Sequence, residues 1–182
     1  MQAAMALASV HNVDAEGMAT IAHTDIAPGQ FMKVGNIYKL QDFNRARFLR
    51  YSETNHTACP FYVGNNAGKN RSPEEYAYGP EDEKVDVYSF GNILYMLLQG
   101  DWPFDDVDDE EAAKLVQKGT RPNIYEDVWN STDPVDQVLK DAMIMCHQQD
   151  PVKRATARDV ETLLKDAMKK LDPGRLEEWG DA

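Results

Sequence analysis

Apolar positions along the chain change period several times, and each change marks an element. Met5, Leu7, Ala8 and Val10 form a stripe at helical spacing, which predicts a first helix broken at VDAEGMAT by a glycine in a polar connection. Phe31-Met32-Lys33-Val34 and Ile37-Tyr38-Lys39-Leu40 read as two short strands, and Gly35-Asn36 between them suits a tight hairpin turn. Pairing these strands is expected to bring Asp25 and Asp42, which flank them, to the same end. From Arg45 to Arg71 neither period is sustained, so this stretch is expected to be a long irregular loop of the kind that serves function.

Helical spacing returns at Val85, Val87, Phe90, Ile93, Leu94, Leu97 and Leu98, a segment apolar on most sides and ended by Gly100. It predicts a helix at the centre of the molecule. Three amphipathic helices are expected after it. The first runs from Asp106 to Lys118, acids at its start and Gly119 just beyond. The second opens at Asp133-Pro134 and presents Val135, Val138, Leu139, Ala142, Met143 and Cys146 inward. The third begins at a capping box, Thr156 to Asp159, and ends at Asp172-Pro173-Gly174.

Composition narrows the functional classes. The 182 residues suit one domain, and a formal charge of −12 argues against nucleic acid or an anionic membrane as partner. Ile93 to Leu98, the longest apolar run, is too short to cross a bilayer, and MQAAMALASV lacks the positive start of a secretory signal. Cys59 and Cys146 lie far apart and fit no metal or disulfide pattern, so a soluble protein of a reducing, cytoplasmic compartment is expected.

The residues at the joints carry chemistry. HTDIAPGQF, His23 to Phe31, is similar to the catalytic loop H-R-D-x-x-x-x-N of eukaryotic protein kinases, and Asp42-Phe43-Asn44 to their D-F-G. Ser72-Pro73-Glu74 resembles A-P-E, Asp86 to Phe104 resembles the central helix and following turn of the C-terminal lobe, and Asp150 to Val160 resembles its closing arginine segment. The ordered set resembles that lobe over most of the chain. The resemblance implies a mainly α fold with one short hairpin carrying both motif loops, over residues 1–172, and a tail at 173–182.

It also implies roles. Asp25 would be the base in transfer of the ATP γ-phosphoryl group to a protein hydroxyl, and Asp42, with Gln30 as second candidate, would bind Mg²⁺. His23 would support the loop from within. Asp86 would accept hydrogen bonds from the loop backbone, and Glu74 would pair with Arg154. Tyr51, Ser52, Thr54, Thr57 and Tyr62 are candidate phosphorylation sites in the long loop.

The departures from the family pattern predict weakened chemistry. Thr24 stands where most such kinases carry arginine, Gln30 replaces asparagine, and neither Ala27 nor Gly29 supplies the loop cation. Asn44 stands in place of the last glycine of D-F-G and is expected to take a left-handed backbone. No Gly-rich loop or strand lysine precedes His23, so the N-terminal lobe is expected to be absent and transfer impaired. The alternatives are a non-catalytic module that holds a partner protein and a fragment of a longer, divergent kinase. Asp105 to Glu111 reads as a solvated helix start, Trp102, Phe104 and Trp129 as packing residues of turns, and Met143, Met145 and Met168 as core filling.

Overall fold

The computed structural model describes residues 1–54 and 58–179. In chain order it contains α1 (Gln2–His11), β1 (Ile21–Ala22), β2 (Phe31–Val34), β3 (Ile37–Leu40), β4 (Arg47–Phe48), β5 (Arg50–Tyr51) and β6 (Ala58–Cys59). There follow α2 (Pro73–Tyr76), α3 (Lys84–Gln99), α4 (Asp109–Gln117), α5 (Glu126–Trp129), α6 (Pro134–Cys146), α7 (Ala157–Leu171) and α8 (Pro173–Trp179). The fold is mainly helical, with small antiparallel ribbons confined to the first half.

α3 lies at the centre. Every residue from Val85 to Tyr95 is buried, and Gly100 ends the helix at φ 81°, a left-handed turn that glycine takes without a Cβ clash. Val87, Phe90, Ile93 and Leu94 meet Leu7 and Ala8 of α1, Met143 and Cys146 of α6, and Val160 and Leu164 of α7 in one apolar core. A second cluster joins Tyr76, Tyr88, Phe104, Ala112 and Val116 on the other side of α3. α3 and α6 approach very closely at Gly91: a Cβ there would lie 2.6 Å from the His147 ring and 2.7 Å from the Cys146 Cβ.

The hairpin forms with the expected strands. Phe31 pairs with Leu40 and Val34 with Ile37, and Gly35 takes φ 62° at the first position of the turn. The structure adds two further ribbons: β4, in the long irregular stretch, pairs with β1 ahead of the hairpin, and β5 pairs with β6 inside the stretch. Two-residue strands are too short to impose a period on the sequence.

Three expectations about the helices are corrected. The inward stripe of α1 is Ala4, Leu7, Ala8 and His11, while Met5 and Val10 are only half-buried. α4 starts later than expected, because the Asp108 side chain accepts from Glu111 N at 2.8 Å and caps the helix there. Val135, expected on the inner face of α6, is 52% exposed; it follows Pro134 in the first turn, ahead of the residues that meet α3. The caps of α6 and α7 form as expected: Asp133 accepts from Val135 N, and Thr156 and Asp159 make a capping box. Among the described residues no helix is long and apolar enough to cross a membrane.

Candidate active site

The hairpin's open end, where the two motif loops enter and leave it, is stitched by hydrogen bonds. Gln41 N donates to Gln30 O at 2.9 Å, and His23 Nε2 lies 2.9 Å from Gln41 O. The loop from His23 to Gln30 therefore runs beside the loop from Gln41 to Arg45. Asp25 hangs on the first, where Gln30 Nε2 donates to its Oδ2 at 3.1 Å. Asp42 follows Gln41 on the second. Its side chain is exposed, and among the described residues no hydrogen bond or ion pair engages it.

α3 holds the first loop from below. The Asp86 carboxylate, 1% exposed, accepts from His23 N at 2.6 Å and Thr24 N at 2.7 Å. His11 Nε2 from α1 lies 3.0 Å from Oδ2 of the same group. One buried charge is thus satisfied by several polar partners, as burial requires. His23 itself is fully buried, packs edge-on against Phe43 at 4.9 Å, and leaves Nδ1 without a hydrogen-bond partner.

Left-handed backbone occurs in both motif loops, at an aspartate that tolerates it and at a threonine that resists it. Thr24 has φ 59° and Asp42 has φ 63°. A β-branched residue at such a φ is an outlier costing ~1–3 kcal/mol unless its surroundings hold it. Thr24 is held at every polar atom: N by Asp86, Oγ1 by donation to Arg45 O at 2.8 Å, and O by Arg71 Nη1 at 2.9 Å. The left-handed position of the second loop is Asp42 and not Asn44, which lies in a short 3-10 turn from Phe43 to Arg45. The turn carries the chain back toward β4, so the reversal has to occur before it.

A second anchor lies under the far end of the long loop. Arg154, 2% exposed, forks onto Glu74 with Nη1 to Oε1 at 2.5 Å and Nη2 to Oε2 at 3.1 Å. It also donates to Lys84 O at 2.7 Å and lies over the Tyr88 ring at 5.0 Å. Ser89 of α3 adds a hydrogen bond to Asn70 O at 2.8 Å.

Several residues of the site escaped sequence reasoning. Arg71 reaches Asp25, with Nη2 2.7 Å from Oδ1. Its one sequence signal is its place directly before Ser72-Pro73-Glu74. His11 escaped because a histidine on an apolar stripe gives no hint of a partner on another helix. Glu75 and Glu81, 1% exposed each, are buried acids beneath the loop. Glu75 accepts from Ser72 N at 2.7 Å through Oε2 but leaves Oε1 without a hydrogen bond. Burial, with Glu81 nearby adding to it, raises the Glu75 carboxyl to about 8.

The candidate phosphorylation sites differ in surroundings. Tyr51 donates its hydroxyl to Ala19 O at 2.8 Å, and the Ser52 and Thr54 hydroxyls lie 2.9 Å apart. Tyr62 is 64% exposed. Thr57 lies outside the described residues. Of the aromatic side chains expected to pack turns, Phe104 is buried, but Trp102 and Trp129 are half-exposed.

Comparison with known proteins agrees with this geometry. A model of the protein kinase domain matches residues 2–164. Serine/threonine-protein kinase VIK of Arabidopsis thaliana is 27% identical over 143 residues, a match covering 77% of this chain and 31% of that protein. Probable serine/threonine-protein kinase fhkA of Dictyostelium discoideum is 31% identical over 159 residues, covering 73% and 25%. Ovarian-specific serine/threonine-protein kinase Lok of Drosophila melanogaster is 28% identical over 174 residues, covering 87% and 35%. The chain thus spans between 25% and 35% of the length of these relatives.

Proposed function

Because the chain belongs to the protein kinase domain family, we propose that its two motif loops form the base-and-metal side of a phosphoryl-transfer site. The acceptor is a protein hydroxyl and the donor the γ-phosphoryl group of ATP. The observation that carries the reading is the double hold on the loop of Asp25: Asp86 grips its backbone from α3, and Gln30 grips the carboxylate from the loop's own end, next to the hairpin.

The donor set suits Mg²⁺, which keeps several waters and takes one or two protein oxygens together with phosphate oxygens. Asp42 offers an unengaged carboxylate, and Gln30 an amide oxygen, since its NH₂ already faces Asp25. Among the described residues no group of three or more His, Cys, Asp or Glu gathers to hold an ion without a substrate. When bound, the ion and nucleotide together neutralise charge on the transferring group.

Asp25 takes the proton of the attacking hydroxyl through the lone pairs that Gln30 and Arg71 leave open. Transfer is slow, because Gln30 places a longer amide arm at the metal and spends one end of it on Asp25. On the same reading residues 1–172 are the C-terminal lobe of the domain, residues 173–182 are a tail, and the protein is cytoplasmic. Its charge of −12 keeps nucleic acid from being a partner.

Thermal melting in millimolar Mg-ATP tests the reading. The chain is expected to melt higher with the ligand, Asp42→Asn to lose the shift, and Asp25→Asn to keep it while losing transfer. A folded wild-type chain without any shift would overturn the proposal. That outcome would favour the second reading, a module that holds a partner protein, which Leu97, Trp102 and Tyr125 support as apolar side chains at least half exposed near the end of α3.

A further inference from the structure

Transfer of a phosphoryl group calls for positive charge beside the base, and the segment from His23 to Phe31 contains neither lysine nor arginine. The long loop brings one from 46 residues away. Arg71 Nη2 lies 2.7 Å from Asp25 Oδ1, Nη1 donates to Thr24 O at 2.9 Å, and Nε donates to Ala67 O at 3.4 Å. Its side chain is only 9% exposed.

Such a guanidinium is already ordered. Backbone carbonyls on both sides fix the plane of the fork, so little side-chain entropy remains to be lost when it engages a carboxylate. One competitor is close, Glu75, whose Oε1 lies 3.6 Å from Nη1. Burial keeps the Glu75 carboxyl protonated near neutral pH. Arg71 therefore directs its charge at Asp25.

We propose that Arg71 is the positioning residue of Asp25, supplying from the far end of the long loop the charge that the catalytic loop lacks. Gln30 fixes one carboxylate oxygen and Arg71 the other, so the carboxylate plane is set and the remaining lone pairs face the acceptor hydroxyl. The inference rests on the phosphoryl-transfer reading above.

The test uses the full chain and the variants Arg71→Ala and Arg71→Lys. Calorimetry compares binding of Mg-ATP with that of Mg-ADP plus fluoroaluminate, which imitates the transferring group, and initial rates on a protein acceptor separate kcat from KM. Arg71→Ala is expected to weaken the analogue and lower kcat by roughly a hundredfold, with ATP affinity and KM within about twofold, and Arg71→Lys to recover most of both. Where the alanine variant does not stay folded, Arg71→Gln takes its place. Equal losses for analogue and ATP, or no loss at all, overturn the role of Arg71 and leave the transfer reading standing. A wild-type chain that binds neither form overturns that reading and this inference with it.

Discussion

Between the stack of α1, α3, α6 and α7 and the ribboned segment from Ile21 to Glu81, the means of holding the chain changes. In the stack, side chains such as Leu7, Phe90, Leu94 and Val160 exclude water from a continuous apolar core. The ribboned segment's own buried apolar cluster is far smaller, Ala22 and Leu49 with Ala19 just ahead of it, while its Ile26 and Tyr76 join the clusters around α3. Order there comes from buried polar groups, and those groups reach up from the stack: Asp86 and Ser89 from α3, His11 from α1, and Arg154 from the turn before α7. A loop-borne site gains rigidity when a well-packed helix grips its backbone, since directional bonds fix orientation where apolar contact fixes only proximity.

Removing one grip from each region tests this contrast most strongly. Asp86→Ala should cost ~2–6 kcal/mol, by leaving the buried His23 and Thr24 N–H groups unpaired at ~1–3 kcal/mol each, and should abolish the Mg-ATP melting shift. Leu94→Ala should cost a similar ~2–5 kcal/mol through a cavity yet keep that shift. Chemical denaturation and ligand melting read the two effects; a shift that survives in Asp86→Ala would erase the distinction.

The regions should also respond to pH with opposite signs. Glu75, under the ribboned segment, is raised from 4.5 to about 8 chiefly by burial. Its folded form holds the proton more tightly, so its stabilisation is full below pH 4.5 and is lost as pH rises to about 8. His147, at the end of α6, is lowered from 6.5 to about 3 chiefly by burial, with Arg121 and Arg154 adding to it. Its stabilisation is full above pH 6.5 and is lost as pH falls to about 3. Each window spans up to ~5 kcal/mol. Denaturation at stepped pH should show Glu75→Gln flattening the alkaline side and His147→Gln the acid side; identical profiles in both variants would contradict the assignment.

Smaller effects belong to the surface of the stack. Asp133→Ala should cost ~1 kcal/mol by leaving Val135 N without its cap. Val135→Lys should change stability by no more than ~0.5 kcal/mol, because that residue faces solvent. A larger loss would return Val135 to the inner face where periodicity placed it.

The sequence was legible where local chemistry decides structure. The hairpin strands, the cap of α6, the capping box of α7 and the glycine stop of α3 all follow from residues close to one another. It was not legible where an outcome depends on a partner far along the chain. Arg71 meets Asp25, and His11 meets Asp86, through contacts that no periodicity announces. Likewise the left-handed residue is Asp42 and not Asn44, because the fold-back after the hairpin outranks the intrinsic tolerance of asparagine.

Gly91 sets a mechanical tolerance for the whole arrangement. With the His147 ring and the Cys146 Cβ at 2.6 and 2.7 Å from where a methyl would stand, the contact between α3 and α6 leaves room at residue 91 for a hydrogen atom and not for a methyl. α3 is also the beam from which Asp86 holds the start of the first motif loop and Ser89 the far end of the long loop. A single added methyl on its underside would tilt the mounting, and the site above would lose alignment with none of its own residues altered.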